Sequence, residues 1–340
     1  MYRDFAECLQ KYFDDYLVRE RGVSKHTIRS YRDTFVSFID YLTEYRKVKL
    51  QNLSMDMMDK ECLLSFLNWL EQVKQCSIQT RNHRLACMRS FFTYMMYLDP
   101  THLGQWKGIC TIKRKKCVHE ELNYLTIEGV TLLLQEIDTS SLQGLRNLTL
   151  ISLLYNAGMR VQELVDLTPS CLRTSKPYVL NVFGKGAKTR AVPLDEPIVE
   201  LVKKYIHESK LDQPGKDHHP LFYNTWHEKL TPAGVAHIIN KYFKMAKIQH
   251  PDVFPNKISP HVFRHSRAMH LLQAGVNLIY IRDILGHVSI QTTEIYARVD
   301  SEPKRTALEK AYASIGITEP EIKIWSDNNK LKEFLKNYTY

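Results

Sequence analysis

The stretch SPHVFRHSRAMH, residues 259–270, concentrates protonatable groups in what otherwise reads as a buried helix. It carries His261, Arg264, His265 and His270. Charged and imidazole groups are costly to bury unless a partner satisfies them. The stretch therefore predicts one of three things: internal pairing, a metal site, or a helix whose polar groups face a ligand.

The residues that follow predict compact helix-loop-helix geometry. Gly275 suits the left-handed position at which a helix ends, and a second helix is expected to begin at Asn277 and to end at Gly286. Ser289 can cap a third short helix. This geometry is expected to hold together the protonatable side chains His261, Arg264, His287 and Tyr296.

A metal site is the first alternative for the histidines. His261 and His265 are one helical turn apart, as in the zinc-protease pattern H-E-x-x-H, but the second position is Val262 rather than the glutamate that activates water. A bound cation would also lie beside Arg264. We therefore expect neither a metal nor a cofactor.

Phosphate chemistry fits the residues better. Two arginines can grip the nonbridging oxygens of a phosphodiester through charge-assisted hydrogen bonds, and Arg160 and Arg264 are the candidates. A phenol can attack phosphorus to form a phosphotyrosine, which makes Tyr296 the candidate nucleophile. Because a phenol ionises near pH ~10 and the leaving 5′ hydroxyl needs an acid, His261 and Lys185 are candidates for the proton transfers.

Composition narrows the class of protein. A chain of 340 residues with 44% hydrophobic residues is long enough for about two globular domains. It has no apolar run of membrane-spanning length and no signal-like amino terminus, so a cytoplasmic protein without membrane contact is expected. Seven cysteines without a C-x-x-C pair predict reduced thiols rather than disulfides or a zinc ribbon.

The charge of the chain favours a polyanionic partner. Its formal net charge is +10, and residues 79–116 contain eight Lys/Arg against the single acid Asp99. Such a footprint suits nucleic-acid phosphates. A solvated charged face is the equally open alternative for a basic run.

The chain divides into two helical regions. Residues 1–112 predict a small helical bundle, with helices capped by Ser24 and Ser77, and the basic residues 113–122 predict a linker. In residues 123–300, Thr126 can cap a helix, "LTLISLLYNAGMRVQELVDL" predicts two helices interrupted near Gly158, and "YVLNVFGKGAKTRAVPL" predicts a β-hairpin.

The candidate DNA contacts are Thr27, Arg29, Arg32, Arg81, Arg84, Arg89, Lys113, Arg114, Lys115, Lys116 and Lys188. For Lys188 and Arg190, a solvated hairpin tip explains the charge as well as a phosphate contact does.

Four motifs occur in an order that resembles the tyrosine recombinase (lambda integrase) family, with Xer-type and transposon-borne integrases as the nearest likeness. "YNAGMRVQELVDL" is similar to the first arginine motif and "FGKGAK" to the lysine turn of the hairpin. "HVFRH" resembles the H-x-x-R motif, and "LGHVSIQTTEIY" the final motif. The resemblance assigns the catalytic residues Arg160, with Glu163 as its acidic companion, Lys185, His261, Arg264, His287 and the nucleophile Tyr296.

The resemblance implies a mainly α fold with a small β-sheet in the catalytic domain, arranged as a two-domain C-shaped DNA clamp. It assigns residues 1–112 to a helical, SAM-like core-binding domain and residues 123–300 to the catalytic domain. It further implies double-stranded DNA with specific recombination sites as substrate, a covalent 3′-phosphotyrosine, a Holliday junction and a homotetramer on DNA, with related recombinases or accessory proteins as further possible partners.

Residues 301–340 form a tail in which "TALEKAYASI" has helical spacing. By resemblance, this helix docks into a neighbouring subunit, and a helix packed on its own domain is the alternative. Ser266 and Arg267 depart from the family pattern, and His265 and His270 match no catalytic position and are interpreted as structural. A non-catalytic DNA-binding protein and a type IB topoisomerase remain as alternative functions.

Overall fold

The computed structural model describes residues 4–117, 122–184, 188–287 and 289–299, without the side chains of the last two. Contacts divide the chain into two compact units, Met1–Glu120 and Glu121–Tyr340. Lys185 and the predicted tail, residues 301–340, lie outside the described residues.

The first unit is helical. Its helices pack on a core rich in aromatic rings, including those of Tyr12, Phe35 and Phe91. They are α1 (Phe5–Lys11), which continues as the π-helical segment Tyr12–Glu20, α2 (Lys25–Asp40), which continues as Tyr41–Tyr45, α3 (Lys60–Gln72), α4 (Ile78–Leu98) and α5 (Leu103–Cys110), with short 3₁₀ turns at Leu50–Asn52, Met55–Met57 and Pro100–His102.

The predicted caps of α2 and α4 are confirmed. The Ser24 side chain accepts a hydrogen bond from the backbone N–H of Thr27, and that of Ser77 accepts one from Thr80. Each cap satisfies a backbone donor that the helix itself leaves open. A serine cap thus begins each of the two helices, α2 and α4, that carry most of the predicted DNA contacts of this unit.

The first part of the predicted linker lies along α4. The side-chain amide of Asn82 donates to the carbonyl of Lys115 at 2.8 Å and accepts from its backbone N–H at 3.0 Å. These two bonds fix the backbone beside the helix at this point. Residues 118–121 lie outside the described part of the chain.

The second unit combines helices with one small sheet, as the predicted fold class requires. Its elements are α6 (Ile127–Gln135), α7 (Leu142–Asn156), α8 (Val161–Val165), a 3₁₀ turn (Pro169–Cys171), β1 (Leu172–Arg173), β2 (Val179–Phe183), β3 (Thr189–Pro193), α9 (Glu196–Glu208), α10 (Pro232–Gln249), α11 (Pro260–Gln273), α12 (Leu278–Leu285) and α13 (Gln291–Val299). The cap predicted at Thr126 is confirmed at the start of α6.

The sheet contains the predicted hairpin. Strands β2 and β3 pair antiparallel, with Leu180 opposite Val192, and both of these side chains are buried. The short strand β1, which the sequence pattern did not predict, pairs with the other edge of β2. The hairpin thus packs one face on the core of the unit.

Two glycines shape the loops next to the predicted site. Gly158 interrupts the helical run as predicted; its φ is +54°, and a Cβ atom there would lie 2.6 Å from the Cδ2 atom of Leu285. Gly286 ends α12 in the left-handed conformation with φ of +67°, as predicted. Both positions favour glycine, and they bring the end of α7 close to the end of α12.

Candidate active site

The second unit places five of the six predicted catalytic residues on neighbouring elements. They lie on or next to four helices. Arg160 is the N-cap residue of α8, His261 and Arg264 lie in the first turns of α11, His287 directly follows Gly286 at the end of α12, and Tyr296 lies on α13. The sixth, Lys185, lies outside the described residues.

Arg264 is anchored by backbone carbonyls. Its guanidinium donates to the carbonyl oxygens of Gly158 and Leu285, both at 2.7 Å, and the residue is 3% exposed. Burial and the neighbouring charge of Arg160 lower the pKa of Arg264 to about 10, so it remains charged at neutral pH. A guanidinium has five N–H donors, so these two bonds orient the group without using all of its donors.

A buried carboxylate joins two further arginines. Glu163 is 5% exposed and accepts hydrogen bonds from Arg160 Nη1 at 2.9 Å and from Arg190 Nη2 at 2.7 Å. Burial alone would raise the pKa of Glu163, but the bonds from Arg190 and Arg160 outweigh burial and lower it. Glu163 is therefore an ionised link between α8 and the hairpin.

The structure rules out one of the two interpretations of Arg190. It is not a solvated hairpin tip, because its side chain is only 12% exposed and forms an ion pair with Glu163. The phosphate contact stays a prediction. Its Nε atom also donates to the carbonyl of Ile284 at 2.8 Å. Arg190 therefore fixes β3 to both α8 and α12.

The cations outnumber the acids around a cleft of about 430 Å³. The inner ion cluster, Arg160, Arg190 and Arg264 with Glu163, carries two uncompensated positive charges. Residues that line the cleft are Arg160, Gly184, Lys188, Thr189, Arg190, Arg282, Asp283, Gly286 and His287. Lys188 is exposed at this cleft, which both a phosphate contact and a solvated hairpin tip predict. Such a cleft favours an anionic ligand.

Tyr296 is enclosed by imidazoles. The residue is 1% exposed, its hydroxyl lies 3.0 Å from Nδ1 of His265, and its ring stacks on that of His287 with centroids 6.4 Å apart. Burial raises the pKa of Tyr296, while the charges of Arg264 and Arg160 act against that rise. The phenol is therefore protonated in this conformation at neutral pH.

The three nearby histidines are neutral at neutral pH. Burial, followed by neighbouring positive charges, lowers the pKa of His265 to about 4 and that of His287 to about 4. The same causes lower the pKa of His261, whose side chain is nevertheless exposed. Nδ1 of His287 lies 2.9 Å from the Thr293 hydroxyl. A neutral imidazole offers one donor and one acceptor.

His265 and His270 have different environments, although both were interpreted as structural. His270 lies 2.8 Å from the Tyr155 hydroxyl and faces that interior ring. His265 instead contacts the hydroxyl of Tyr296, the candidate nucleophile. Sequence reasoning missed this contact; the one available signal was that His265 lies one turn from His261 on the same helix.

The two departures from the family pattern have structural partners. Ser266 is fully buried and accepts a hydrogen bond from the backbone N–H of Leu125 at 2.8 Å. The Arg267 guanidinium lies over the ring of Tyr155, 5.7 Å from its centroid. Arg267 is therefore tied to α7 rather than added to the inner ion cluster.

In the first unit, the structure corrects one predicted DNA contact. Arg81 is 3% exposed and its Nε atom lies 3.3 Å from Glu71 Oε1, so its charge is paired with that carboxylate inside the unit. Arg84 is partly buried and donates to the Thr34 hydroxyl at 2.9 Å. The exposed Lys115 ammonium lies 2.9 Å from the other oxygen of Glu71.

Other predicted contacts of this unit reach the surface. The exposed cations are Arg29, Arg32, Lys113, Arg114 and Lys116, while Thr27 and Arg89 are half-buried. A groove of about 430 Å³ separates the first turns of α2 and α4. It is lined by His26, Arg29, Ser30, Asp33, Gln79, Thr80, His83 and Arg84.

Three further observations bear on the sequence expectations. All seven cysteines are free thiols. Within the ranges that the structure describes, no group of three or more His, Cys, Asp or Glu side chains is arranged to hold a metal ion. Across the same ranges, none of the helices combines the length and the apolar character needed to cross a membrane.

Both units match known protein families. Residues 123–302 match the phage integrase family, and residues 10–97 match the N-terminal SAM-like domain of phage integrases. The tyrosine recombinase XerC of Syntrophus aciditrophicus is 30% identical over 317 residues, which cover 89% of this chain and 97% of that protein. The tyrosine recombinase XerD of Listeria monocytogenes is 30% identical over 289 residues, which cover 84% of this chain and 92% of its own.

A solved structure shares the fold. The site-specific recombinase XerH bound to a palindromic difH substrate, in a post-cleavage complex, has a TM-score of 0.65 and 24% sequence identity, over 89% of this chain and 87% of that chain. The predicted mainly α fold with a small β-sheet is thereby confirmed. The sequence matches and the shared fold lead to the same conclusion: the chain belongs to the phage integrase family of tyrosine recombinases.

Proposed function

We propose that this chain is a site-specific DNA recombinase that cleaves and rejoins strands through a 3′-phosphotyrosine on Tyr296. Family membership and the relatives named tyrosine recombinase support DNA recombination. The observation that carries the residue assignment is the position of the Tyr296 phenol: its hydroxyl lies 3.0 Å from Nδ1 of His265, and the charges of Arg264 and Arg160 act against the rise in its pKa that burial causes.

In this proposal, the cationic cleft receives one backbone phosphate of double-stranded DNA. Arg160 and Arg264 bind its nonbridging oxygens, because both are charged and both are already oriented by protein contacts. His261 and His287 add neutral N–H donors beside these arginines. Preorganised donors stabilise the charge that develops on the phosphate during attack.

The chemical step exchanges one phosphate ester for another. The Tyr296 oxygen forms a bond to phosphorus while the bond from phosphorus to the 5′ oxygen breaks. Lys185, on the hairpin turn, is proposed to protonate the departing 5′ oxygen. The reverse attack by a 5′ hydroxyl of another duplex restores the phosphodiester and frees the phenol, so the step requires neither a metal nor ATP.

The complete reaction requires more than one copy of the chain. We propose that the first unit, residues 1–112, binds the recombination site with the exposed cations of α2, α4 and residues 113–116, and that residues 123–300 carry the catalysis. Two rounds of strand exchange through a Holliday junction then require a homotetramer, in which residues 301–340 link neighbouring subunits, with related recombinases or accessory proteins as further candidate partners.

Trapping of the covalent intermediate tests this function. A nicked suicide substrate carrying a recombination site should accumulate a protein–DNA adduct with the unaltered chain and none with Tyr296→Phe, whose DNA binding should persist because only one oxygen is lost. Adducts on the Phe variant would contradict the assignment. DNA binding without adducts by the unaltered chain would indicate a binding protein, and relaxation of supercoiled DNA that lacks a site would indicate a topoisomerase.

A further inference from the structure

One imidazole lies within hydrogen-bond distance of the Tyr296 hydroxyl in the described part of the chain, and it belongs to His265 rather than to His261. The Nδ1 atom of His265 is 3.0 Å from the hydroxyl oxygen. The two residues come from different helices, α11 and α13, so their contact requires both helices to pack in register. No role in catalysis was assigned to His265 by the sequence motifs.

The protonation states define the direction of this hydrogen bond. The pKa of His265, lowered by burial and by His261 and Arg264, is about 4, so the ring is neutral at pH 7. The pKa of Tyr296 is raised by burial, so the phenol keeps its proton. The phenol can then donate to the Nδ1 lone pair of a ring whose proton is on Nε2.

The neighbouring imidazoles are less well placed to receive the phenol proton. Nδ1 of His287 is occupied by the Thr293 hydroxyl at 2.9 Å, and the centroids of the nearly parallel His287 and Tyr296 rings are 6.4 Å apart. The His261 ring lies near that of His265, with 6.4 Å between their centroids, and among the described residues it makes no hydrogen bond to the Tyr296 hydroxyl.

We propose that His265 positions the Tyr296 hydroxyl and takes up its proton when the phenol attacks DNA. The step balances: as the bond between the Tyr296 oxygen and phosphorus forms, the phenol proton moves to Nδ1 of His265, and the departing 5′ oxygen takes a separate proton from the acid of the proposed mechanism. This inference rests on the proposed function, because it concerns the same nucleophile.

The charges around His265 make its basicity depend on the substrate. His261 and Arg264 face it from α11, Tyr296 from α13 and His287 from the loop after α12, with Arg160 beside Arg264. In the free protein, burial, His261 and the charge of Arg264 disfavour protonation of the imidazole. A phosphodiester bound to the arginines adds one negative charge at the same place, which favours the imidazolium. Binding of DNA thus activates the base.

Three variants separate positioning from proton uptake. His265→Ala removes the acceptor and the base, whereas His265→Asn places an amide oxygen near the former Nδ1 position and so retains an acceptor that cannot be protonated. His270→Asn is the matched control, because His270 lies on the same helix and makes the same kind of contact with the Tyr155 hydroxyl, at 2.8 Å. Each variant is measured as the full chain, for DNA binding and for the single-turnover rate of adduct formation on the suicide substrate.

We expect the unaltered chain and His270→Asn to share one pH profile, which rises and then reaches a plateau as the imidazole loses its proton. The rate of His265→Ala near neutral pH should fall by about 10²–10⁴, the usual contribution of a general base. Both His265 variants should lose the plateau, and their rates should continue to rise with pH as hydroxide ionises the phenol. His265→Asn should be faster than His265→Ala at each pH.

If His265→Asn kept the normal rate and plateau, His265 would not be the group that takes up the phenol proton. If both His265 variants kept the normal rate and pH profile, the whole inference would be wrong, while the proposed function would stand. Absence of adducts with the unaltered chain would overturn both. ¹⁵N chemical shifts of His265 in the unaltered protein provide a measurement that no folding defect can affect. A neutral ring protonated on Nε2 is expected, and a ring protonated on Nδ1 would contradict the proposal.

Discussion

Each unit contains a largely buried carboxylate that pairs with two cations, but the cations differ in their exposure to solvent. In the first unit, Glu71 interacts with Arg81 at 3.3 Å and with Lys115 at 2.9 Å. In the second unit, Glu163 interacts with Arg160 and Arg190. The local chemistry is similar, while the Arg81 side chain is only 4% exposed and the Arg160 side chain is 36% exposed.

The difference lies in the charge that remains after internal pairing. The second unit adds Arg264, which is held by carbonyl oxygens that orient it without cancelling its charge. Positive charge thus remains concentrated around Tyr296. In the first unit the buried guanidinium of Arg81 is paired with Glu71 and is not available to a ligand. The charges that a ligand can reach are spread over exposed side chains such as Arg29 and Lys113. A count of basic residues therefore does not reveal which of them serve a ligand.

The largest effect is expected from Arg264→Ala. Loss of one preorganised donor to a developing anion costs about 10²–10³ in rate, and Arg264 offers more than one, so cleavage of the suicide substrate should fall by at least ~10³. Arg267→Lys is the control, because Arg267 lies one turn along α11 but faces Tyr155. Equal losses in the two variants would show that the anchoring of Arg264 by carbonyls has no special role.

A pair of carboxylate variants tests the shared ion clusters. Glu163→Gln should lower the free energy of unfolding by about 3 kcal/mol, since removal of one partner from a buried pair leaves charges uncompensated. Glu71→Gln should cost somewhat less, about 2 kcal/mol, because it leaves the buried Arg81 without its carboxylate but releases only an exposed ammonium on Lys115. Denaturant unfolding of both full-length variants measures this difference, and a larger loss with Glu71→Gln would reverse the comparison.

The acid dependence of stability sharpens the same test. The pKa of Glu163 is lowered in the folded state from its ordinary value of 4.5. Its stabilising contribution is therefore fully present above pH 4.5 and is lost as the pH falls through the folded pKa. We expect the difference in stability between the unaltered chain and Glu163→Gln to be constant near neutral pH and to shrink below about pH 4. A difference that grew with acid would have the wrong sign.

Smaller effects are expected on the surface of the first unit. Arg29→Ala should weaken DNA binding modestly and reduce the slope of log affinity against log salt by about one, as for loss of one phosphate contact. Arg81→Ala should instead reduce stability and leave that slope unchanged, because Arg81 is buried against Glu71. Binding titrations across a salt series, with thermal melts, test both variants. A reduced slope for Arg81→Ala would place its charge at the DNA.

The smallest effect concerns the imidazoles. The pKa of His287 is lowered to about 4 by burial and then by the charges of Arg264 and Arg160. Arg160→Ala removes one of these charges and should raise the pKa of His287 by up to about one unit, equivalent to ~1.4 kcal/mol. NMR titration of the imidazole resonance measures the shift. An unchanged pKa would mean that the charge of Arg160 does not affect the protonation of His287.

Local sequence rules predicted the framework of the site. The caps at Ser24, Ser77 and Thr126 were predicted correctly, because a cap depends on a side chain and a backbone N–H two or three residues apart. The break at Gly158 and the end of α12 at Gly286 were correct because a left-handed backbone position favours the residue that has no Cβ atom. The motif resemblance predicted which residues would gather, and the roles of those residues remain predictions.

The sequence by itself determined the helices, their caps, the hairpin and the family, while only the tertiary structure decided which polar side chains pair across distant parts of the chain. Arg190 pairs with a carboxylate 27 residues away, His265 with a phenol 31 residues away and Arg264 with a carbonyl 106 residues away. Arg81 and Arg89 lie on one helix in similar local sequence, yet Arg81 is buried and Arg89 is not. The physical reason is that turns and caps are satisfied within a few residues, whereas burial and ion pairing depend on which distant element packs against each face.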